Sequence, residues 1–282
     1  MDFTIRPIGT VHSKVIDGKD MPIQGVPASI EIFDAFKEGL KGIEGDSHIN
    51  VMCWLDKAER EPLLVTPKKI NAKLHKRGVF SLRSPTRPNP LSLTATRLVK
   101  VEENMLYVDP LDIINGSPVI DIKPYSAVWD VIFWARDVHS SLIPANMEES
   151  EVLIEFLREA YNFHGERCPD IAVGVKIVFD AMKTLNCNIK NASVKIPGNV
   201  NPHIADCLIG IVRGTPGNGR LTVCGTDDIE IGYGTRSITY KLKKISHKDP
   251  LEILRVDSNE LFTKFDTKIN KTDDLSGAIN NG

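Results

Sequence analysis

What most restricts the fold is a change of texture near residue 137. Before it the chain is a succession of short segments rich in Val, Ile, Thr and Leu, partly alternating in polarity and separated by Gly, Pro, Asn or Asp: TIRPIGTV, SIEI, NVMCWL, GVFSL, LSLTATRLVKV, MLYVDPLDII and VIDIKPY. Side chains of a strand point to alternate faces, so short period-two segments at close spacing predict a β-barrel or sandwich. One stretch interrupts the series. In FDAFKEGLKGI the residues Phe33, Phe36, Leu40 and Ile43 fall at helical spacing and predict a short helix.

After Arg136 helical patterning takes over. MEESEVLIEFLREAYNF is amphipathic, with acidic residues in the first turn where the helix dipole favours them, and CPDIAVGVKIVFDAMKTL reads as a second helix with Pro169 suited to its first position. DCLIGIV, RLTVCG and SITYKLKKI read as strands, and the glycine-rich RGTPGNGR between the first two reads as a hairpin turn. The expected class is mixed: an all-β barrel over residues 1–140, an α+β domain over 147–246 and a C-terminal extension over 247–282, with the boundary in SSLIPAN. From about Asp266 the chain is too polar to build a core, which predicts a loose tail. Two cores suit 282 residues of which 41% are hydrophobic.

Several function classes drop out. No apolar run approaches the roughly 18 residues that cross a bilayer, and the start MDFTIRPIGTVHS lacks the basic and apolar regions of a signal peptide, so a cytoplasmic location is expected. Cys53, Cys168, Cys187, Cys207 and Cys224 are odd in number and form no CxxC pair, which fits reduced thiols better than a disulfide framework or a ribbon-type zinc site. A net charge of −2 excludes polyanion binding by bulk electrostatics. The distribution is uneven, however. From Lys68 to Lys100 the cations Lys68, Lys69, Lys73, Lys76, Arg77, Arg83, Arg87, Arg97 and Lys100 occur with no carboxylate between them, and the block contains the proline-arginine segment RSPTRPNP. That combination points to an anion or phosphate site.

Three segments, KGIEGDSHINVMCWL, RGVFSLRSPTRPNPLSLT and LDIINGSPVIDIKPY, occur in that order. Together they resemble the TsaA-like family, whose best-understood members are the TrmO-type tRNA methyltransferases, with the pattern GVFATRS-x-FRPNPIG followed by D-x-x-DGTPV-x-DIKPY. The resemblance covers roughly residues 3 to 137. It implies a small β-barrel that binds S-adenosylmethionine without a Rossmann-type sheet, a dimer with the cofactor near the subunit interface, and methylation of the N6 nitrogen of a threonylcarbamoyl-modified adenosine beside a tRNA anticodon. The absence of a GxGxxG after a strand agrees with a non-Rossmann cofactor site.

The residues suit that chemistry. Arg83 or Arg87 offers a fork for a carboxylate. Asn89 pairs donor and acceptor positions of an adenine, and Pro88 and Pro90 stiffen the chain on either side of it. Ser84 adds a hydroxyl, and Phe80 or Tyr125 offers a sulfonium an aromatic face. Gly116 and Pro118 shape a turn, and His48 matches the family's serine-histidine pair. Methyl transfer is an in-line displacement in which alignment supplies on the order of 7 to 11 kcal/mol, so acid-base machinery is secondary. Asp112, Asp121, Lys123 and Tyr125 are the candidates for a base that activates the acceptor; Asp121 and Lys123 read equally as a surface ion pair. The chain departs from the family pattern at Thr86, where an aromatic is usual, and at Asn115, where an acid is usual; acceptor specificity is where these changes bear.

In the second half NFHGERCPDIAVGVKIVFDAM and HIADCLIGIVRGTPGNGRL resemble, over roughly residues 150 to 245, FmdE-like domains with their HGHxCPG and C-x-x-D segments. That resemblance implies a metal, usually zinc, held by His164, Cys168 and His203, with His203 standing where the family has its second cysteine and Asp206 matching the acid. A nitrogen, sulfur, nitrogen set completed by an oxygen or water suits tetrahedral zinc. Cys168 precedes a helix whose N-terminal dipole favours a thiolate.

The leading expectation is an S-adenosylmethionine-dependent tRNA methyltransferase whose basic block contacts phosphates, with tRNA and a second copy of the chain as partners. The rival expectations are a methyltransferase for a small-molecule or metal-bound thiol acceptor, and a non-catalytic module that holds S-adenosylmethionine or metal.

Overall fold

The computed structural model describes residues 4–67, 75–133, 135, 147–244 and 248–268. The chain divides into two compact units, Met1–Val138 and His139–Gly282.

In the first unit the alternating segments close on themselves. β1 (Gly9–Ser13), β2 (Val26–Ile32) and β3 (His48–Cys53) come first, then a short ladder of β4 (Leu64–Val65) with β5 (Arg77–Gly78) outside the barrel, then β6 (Thr94–Glu102), β7 (Met105–Leu111) and β8 (Pro118–Pro124). The barrel order is β1-β2-β7-β6-β3-β8, every neighbouring pair antiparallel. Alternation decides what faces inward. In β3, Ile49, Val51 and Cys53 are buried while His48, Asn50 and Met52 face out. A single four-residue turn of helix, α1 (Ala127–Asp130), follows β8; the Asp130 carboxylate accepts from Ser126 N at 2.8 Å and from Asn50 Nδ2 at 3.4 Å, which ties it to the outer face of β3.

Two expectations need correction here. GVFSL is not a barrel strand: β5 ends at Gly78, and Val79–Ser81 form a 3₁₀ turn in which only Val79 is buried. FDAFKEGLKGI forms two 3₁₀ segments, Asp34–Leu40 and Ile43–Gly45, and of its four helically spaced apolar residues only Leu40 is buried. Gly42, with φ of 95°, breaks the run before an α-helix can propagate.

The second unit is α+β. α2 (Glu149–His164) opens with a capping box between Glu148 and Glu151, and α3 (Pro169–Leu185) has Pro169 at its start. β9 (Ser193–Pro197), α4 (Pro202–Val212), β10 (Leu221–Cys224), β11 (Ile229–Tyr233), β12 (Arg236–Leu242), α5 (Pro250–Arg255), α6 (Ser258–Leu261) and β13 (Phe262–Lys268) follow. The sheet order is β10-β9-β11-β12-β13. Among the described strands only β10 and β9 pair in parallel. Parallel neighbours require a crossover, and α4 is that crossover.

DCLIGIV, expected as a strand, is therefore helix. Asn201 accepts from His203 N at 2.9 Å, Pro202 takes the first turn, and Ile204, Cys207, Leu208 and Ile211 are buried along α4. Nor is RGTPGNGR a hairpin turn: it links α4 to β10, with Thr215 and Asn218 exchanging capping bonds around Pro216–Asn218. Residues 250–268 belong to this unit, with Ile253, Leu254, Leu261 and Phe262 in its core and β13 paired to β12. The loose tail expected from about Asp266 starts later: Asp266, Thr267 and Lys268 still pair with β12, and the rest of the tail and the boundary segment SSLIPAN lie outside the described residues. No helix among the described residues is long and apolar enough to cross a membrane.

Candidate functional site

The barrel lumen offers no room to a ligand, because Val11, Ile30, Ile49, Val51, Leu106 and Val119 fill it with fully buried side chains. A nucleoside site on this unit must be built on its outside. The two motif segments meet there, on either flank of the end of β3. On one flank Leu55 N donates to Pro90 O at 2.7 Å, Ser92 N to Cys53 O at 2.9 Å, and Cys53 N to Ser92 Oγ at 3.1 Å. On the other, Trp54 N donates to Pro118 O at 2.9 Å, and β8 runs beside β3 with Asp121 opposite Met52 and Lys123 opposite Asn50. Thr94, the last residue of the RGVFSLRSPTRPNPLSLT segment, donates its hydroxyl to Asp112 Oδ1 at 2.7 Å, a direct link to the LDIINGSPVIDIKPY segment.

The loop from Phe80 to Pro90 is braced from within. Arg87 donates Nε to Ser84 O at 2.8 Å and NH2 to Leu82 O at 2.6 Å and Val79 O at 3.2 Å. Its guanidinium thus braces the loop through Nε and NH2. Arg83 is exposed and donates to Leu93 O. Pro88 and Asn89 are exposed at the tip, and Pro90 is buried. Phe80 is 82% exposed.

Tyr125 closes the far end of the same face, its N donating to His48 O at 3.0 Å and its ring centroid 6.3 Å from the His48 ring. His48 shares a hydrogen bond with Ser47 Oγ at 3.0 Å and pairs across β6 with Arg97; burial, then the Arg97 charge, hold its pKa below the ordinary value. Asp121 and Lys123 form an exposed ion pair at 2.9 Å, worth little to stability. Gly116, at φ of 83°, makes a left-handed turn that favours glycine, and Asn115 Oδ1 accepts from Ser13 N at 3.1 Å, which gives this departure from the family pattern a structural task.

Sequence reasoning missed Ser92, Thr94, Asn50 and Asp130. The alternation of β3 was the available signal for Asn50, two residues after His48; for Asp130 there was none, since α1 is a single turn. Of the basic block, Lys68, Lys69 and Lys73 lie outside the described residues, and Lys100 is paired with Glu102.

The second unit brings its predicted ligands together. His164 ends α2, Cys168 caps α3 and His203 lies in the first turn of α4, so three helix ends converge. Their ligand atoms lie within 4.8 Å of one another, and they are half-buried. His203 Nδ1 is 2.8 Å from His164 Nε2 and 3.4 Å from Cys168 Sγ. Tetrahedral zinc with bonds of about 2.0 Å to nitrogen and 2.3 Å to sulfur sets ligand atoms about 3.3 to 3.5 Å apart, so the His203–Cys168 pair already has that spacing and the two histidine nitrogens would open by about half an ångström to take the ion. Burial raises the Cys168 thiol, and the backbone N–H groups of Ile171 and Asp170 oppose the rise.

Residues 10–131 match the tRNA-methyltransferase O N-terminal domain. Over 132 residues the chain is 44% identical to an S-adenosyl-L-methionine-binding protein of Archaeoglobus fulgidus, covering 45% of this chain and 93% of that one. A second Archaeoglobus fulgidus protein, described as "Probable S-adenosyl-L-methionine-binding protein", is 38% identical over 185 residues, 64% of this chain and 49% of its own length. The chain thus spans about half the length of that relative. Since 64% of 282 residues is about 180, more than the 138 of the first unit, the likeness runs into the second. The human tRNA (adenine(37)-N6)-methyltransferase is 41% identical over 101 residues, 35% of this chain and 22% of the human one.

Proposed function

The chain belongs, through its barrel, to the tRNA-methyltransferase O N-terminal domain family, and from that premise we propose that it is an S-adenosylmethionine-dependent methyltransferase acting on N6 of a threonylcarbamoyl-modified adenosine in tRNA. The observation that carries the reading is that both motif segments are anchored to the same strand outside a filled barrel: Pro90 of the RPNP loop bonds to Leu55 just after β3 on one flank, and the DIKPY strand pairs with β3 on the other. S-Adenosylmethionine supplies an electrophilic methyl group on a sulfonium. Arg83 answers its carboxylate, Asn89 its adenine edge, and Ser84 a ribose hydroxyl. Pro88, Pro90 and the Arg87 brace hold the loop in shape before the ligand arrives, which lowers the ordering cost of binding. Phe80, or Tyr125 beside His48, offers the sulfonium an aromatic face.

The acceptor nitrogen is a poor nucleophile because the attached carbonyl withdraws its lone pair. Asp112, Asp121, Lys123 and Tyr125 are the groups available to take or relay its proton: Asp121 and Lys123 on β8, Tyr125 just past its end, and Asp112 bonded to Thr94 at the start of β6. Phosphates meet Lys76, Arg77 and Arg97, and the work is done in the cytoplasm, where tRNA is found. Val128, Trp129 and Ile132 are 86%, 83% and 72% exposed, an apolar surface that a second copy of the chain covers in a homodimer. In the second unit His164, Cys168 and His203 hold zinc, and the domain is of FmdE-like kind.

The test is incubation with labelled S-adenosylmethionine and two tRNA pools, one carrying the threonylcarbamoyl group and one lacking it. Label should enter only the first, with tRNA binding that weakens steeply as salt rises. Equal labelling of both, or label in small molecules alone, contradicts the reading.

A further inference from the structure

Asp206 stands beside the His164, Cys168 and His203 group without joining it. It lies three residues after His203 on α4, and its Oδ2 is 2.8 Å from His164 Nδ1. The His164 atom that faces the other two members is Nε2, 2.8 Å from His203 Nδ1. The carboxylate therefore lies across the imidazole from the point where the three ligand atoms meet. An acid in the family's motif could serve a metal as an oxygen ligand; here it is engaged with the second nitrogen of a ligand.

Valence then fixes the tautomer. A neutral imidazole has one N–H and one lone pair, so a ring that donates Nδ1–H to a carboxylate carries its lone pair on Nε2. The ring also needs holding. His164 is the last residue of α2, and the chain leaves it through Gly165 at φ of 89°, so the helix end alone does little to fix the side chain. The ring is only 11% exposed, and it packs edge-on to His203 with centroids 4.6 Å apart. Among its described polar contacts, the bond to Asp206 is the one that chooses which nitrogen is free.

We propose that Asp206 is the positioning residue of this site, holding His164 as the Nδ1–H tautomer with Nε2 aimed at the point shared with Cys168 Sγ and His203 Nδ1. The inference rests on the metal reading given above, but the tautomer can be read without metal. Carboxylate partners of ligating histidines typically carry a factor of 10 to 100 in metal affinity.

The experiment uses the full chain with three variants, Asp206→Ala, Asp206→Glu and Cys168→Ser, after metal has been removed by chelation. Cobalt(II) is titrated and followed by its thiolate charge-transfer absorption, while nitrogen-15 spectra of the metal-free protein report the His164 tautomer. The wild type should bind cobalt and show His164 protonated on Nδ1. Asp206→Ala should bind about 10- to 100-fold more weakly, keep the absorption band, and lose the tautomer preference; Asp206→Glu should restore part of both, and Cys168→Ser should lose the band. Ala suits a half-exposed helix position, and circular dichroism checks that the fold is kept. If Asp206→Ala matches the wild type in affinity and tautomer, or the wild type is not protonated on Nδ1, the proposal fails. A wild type that takes up no cobalt yet loses its Nδ1–H tautomer in Asp206→Ala sinks the metal reading and leaves the positioning role supported.

Discussion

Arg87 and Asn89 are two residues apart in one loop and have different tasks. Arg87 binds three carbonyls of its own loop, while Asn89 is exposed at the tip between two prolines. A lysine has the charge but not the planar fork that reaches several acceptors at once. Arg87→Lys should therefore speed amide exchange in the loop around residues 79–91 while β6 and β7 keep wild-type protection; unchanged exchange in the loop contradicts the brace. Cysteine chemistry separates at this scale too. Burial pushes the Cys53 thiol up to about 12, Ser92 opposing and Asp112 adding to the rise, and burial raises Cys207 well above its ordinary value. The reactive species is the thiolate, so at pH 8 both should resist a thiol reagent in the native protein and react on unfolding. Peptide mapping that finds either one labelled in the folded chain would refute the assignment.

Element by element, packing explains both what the sequence tells and what it hides. Six of the seven predicted strand segments contain barrel strands, because a barrel with a dry interior and a wet exterior writes its alternation into each strand. GVFSL escaped because its apolar residues build a turn, and DCLIGIV because α4 is buried on most of its surface and so lacks a polar stripe. Periodicity cannot separate such a helix from a buried strand; the caps at Asn201 and Pro202 carried the signal. The candidate site was legible in the same measure. Residue types at motif spacing pointed to the RPNP loop and to His164, Cys168 and His203, whereas the burden on Arg87 and the bond from Asp206 to His164 depend on where side chains turn. Close helix packing yields a further prediction. A Cβ on Gly174 of α3 would lie 2.7 Å from both Cβ and Sγ of Cys207 on α4, backed by a fully buried core. Gly174→Ala should destabilise the second unit by about 1 to 3 kcal/mol in denaturant unfolding. Wild-type stability would mean that α3 and α4 do not approach this closely.

At the scale of the whole molecule, each of two units of comparable size has its own candidate site: an outer-face loop and strand on a filled barrel, and a histidine-cysteine group where three helix ends meet. If the sites are chemically independent, a change that empties one should leave ligand binding at the other intact. Calorimetry of S-adenosylmethionine with the full chain, with Asn89→Ala and with Asp206→Ala addresses this most directly. The account predicts one nucleoside bound per barrel, affinity reduced at least about tenfold, or 1.4 kcal/mol, by Asn89→Ala, and no change with Asp206→Ala. Absence of heat with the wild type, or wild-type affinity in Asn89→Ala, would contradict it.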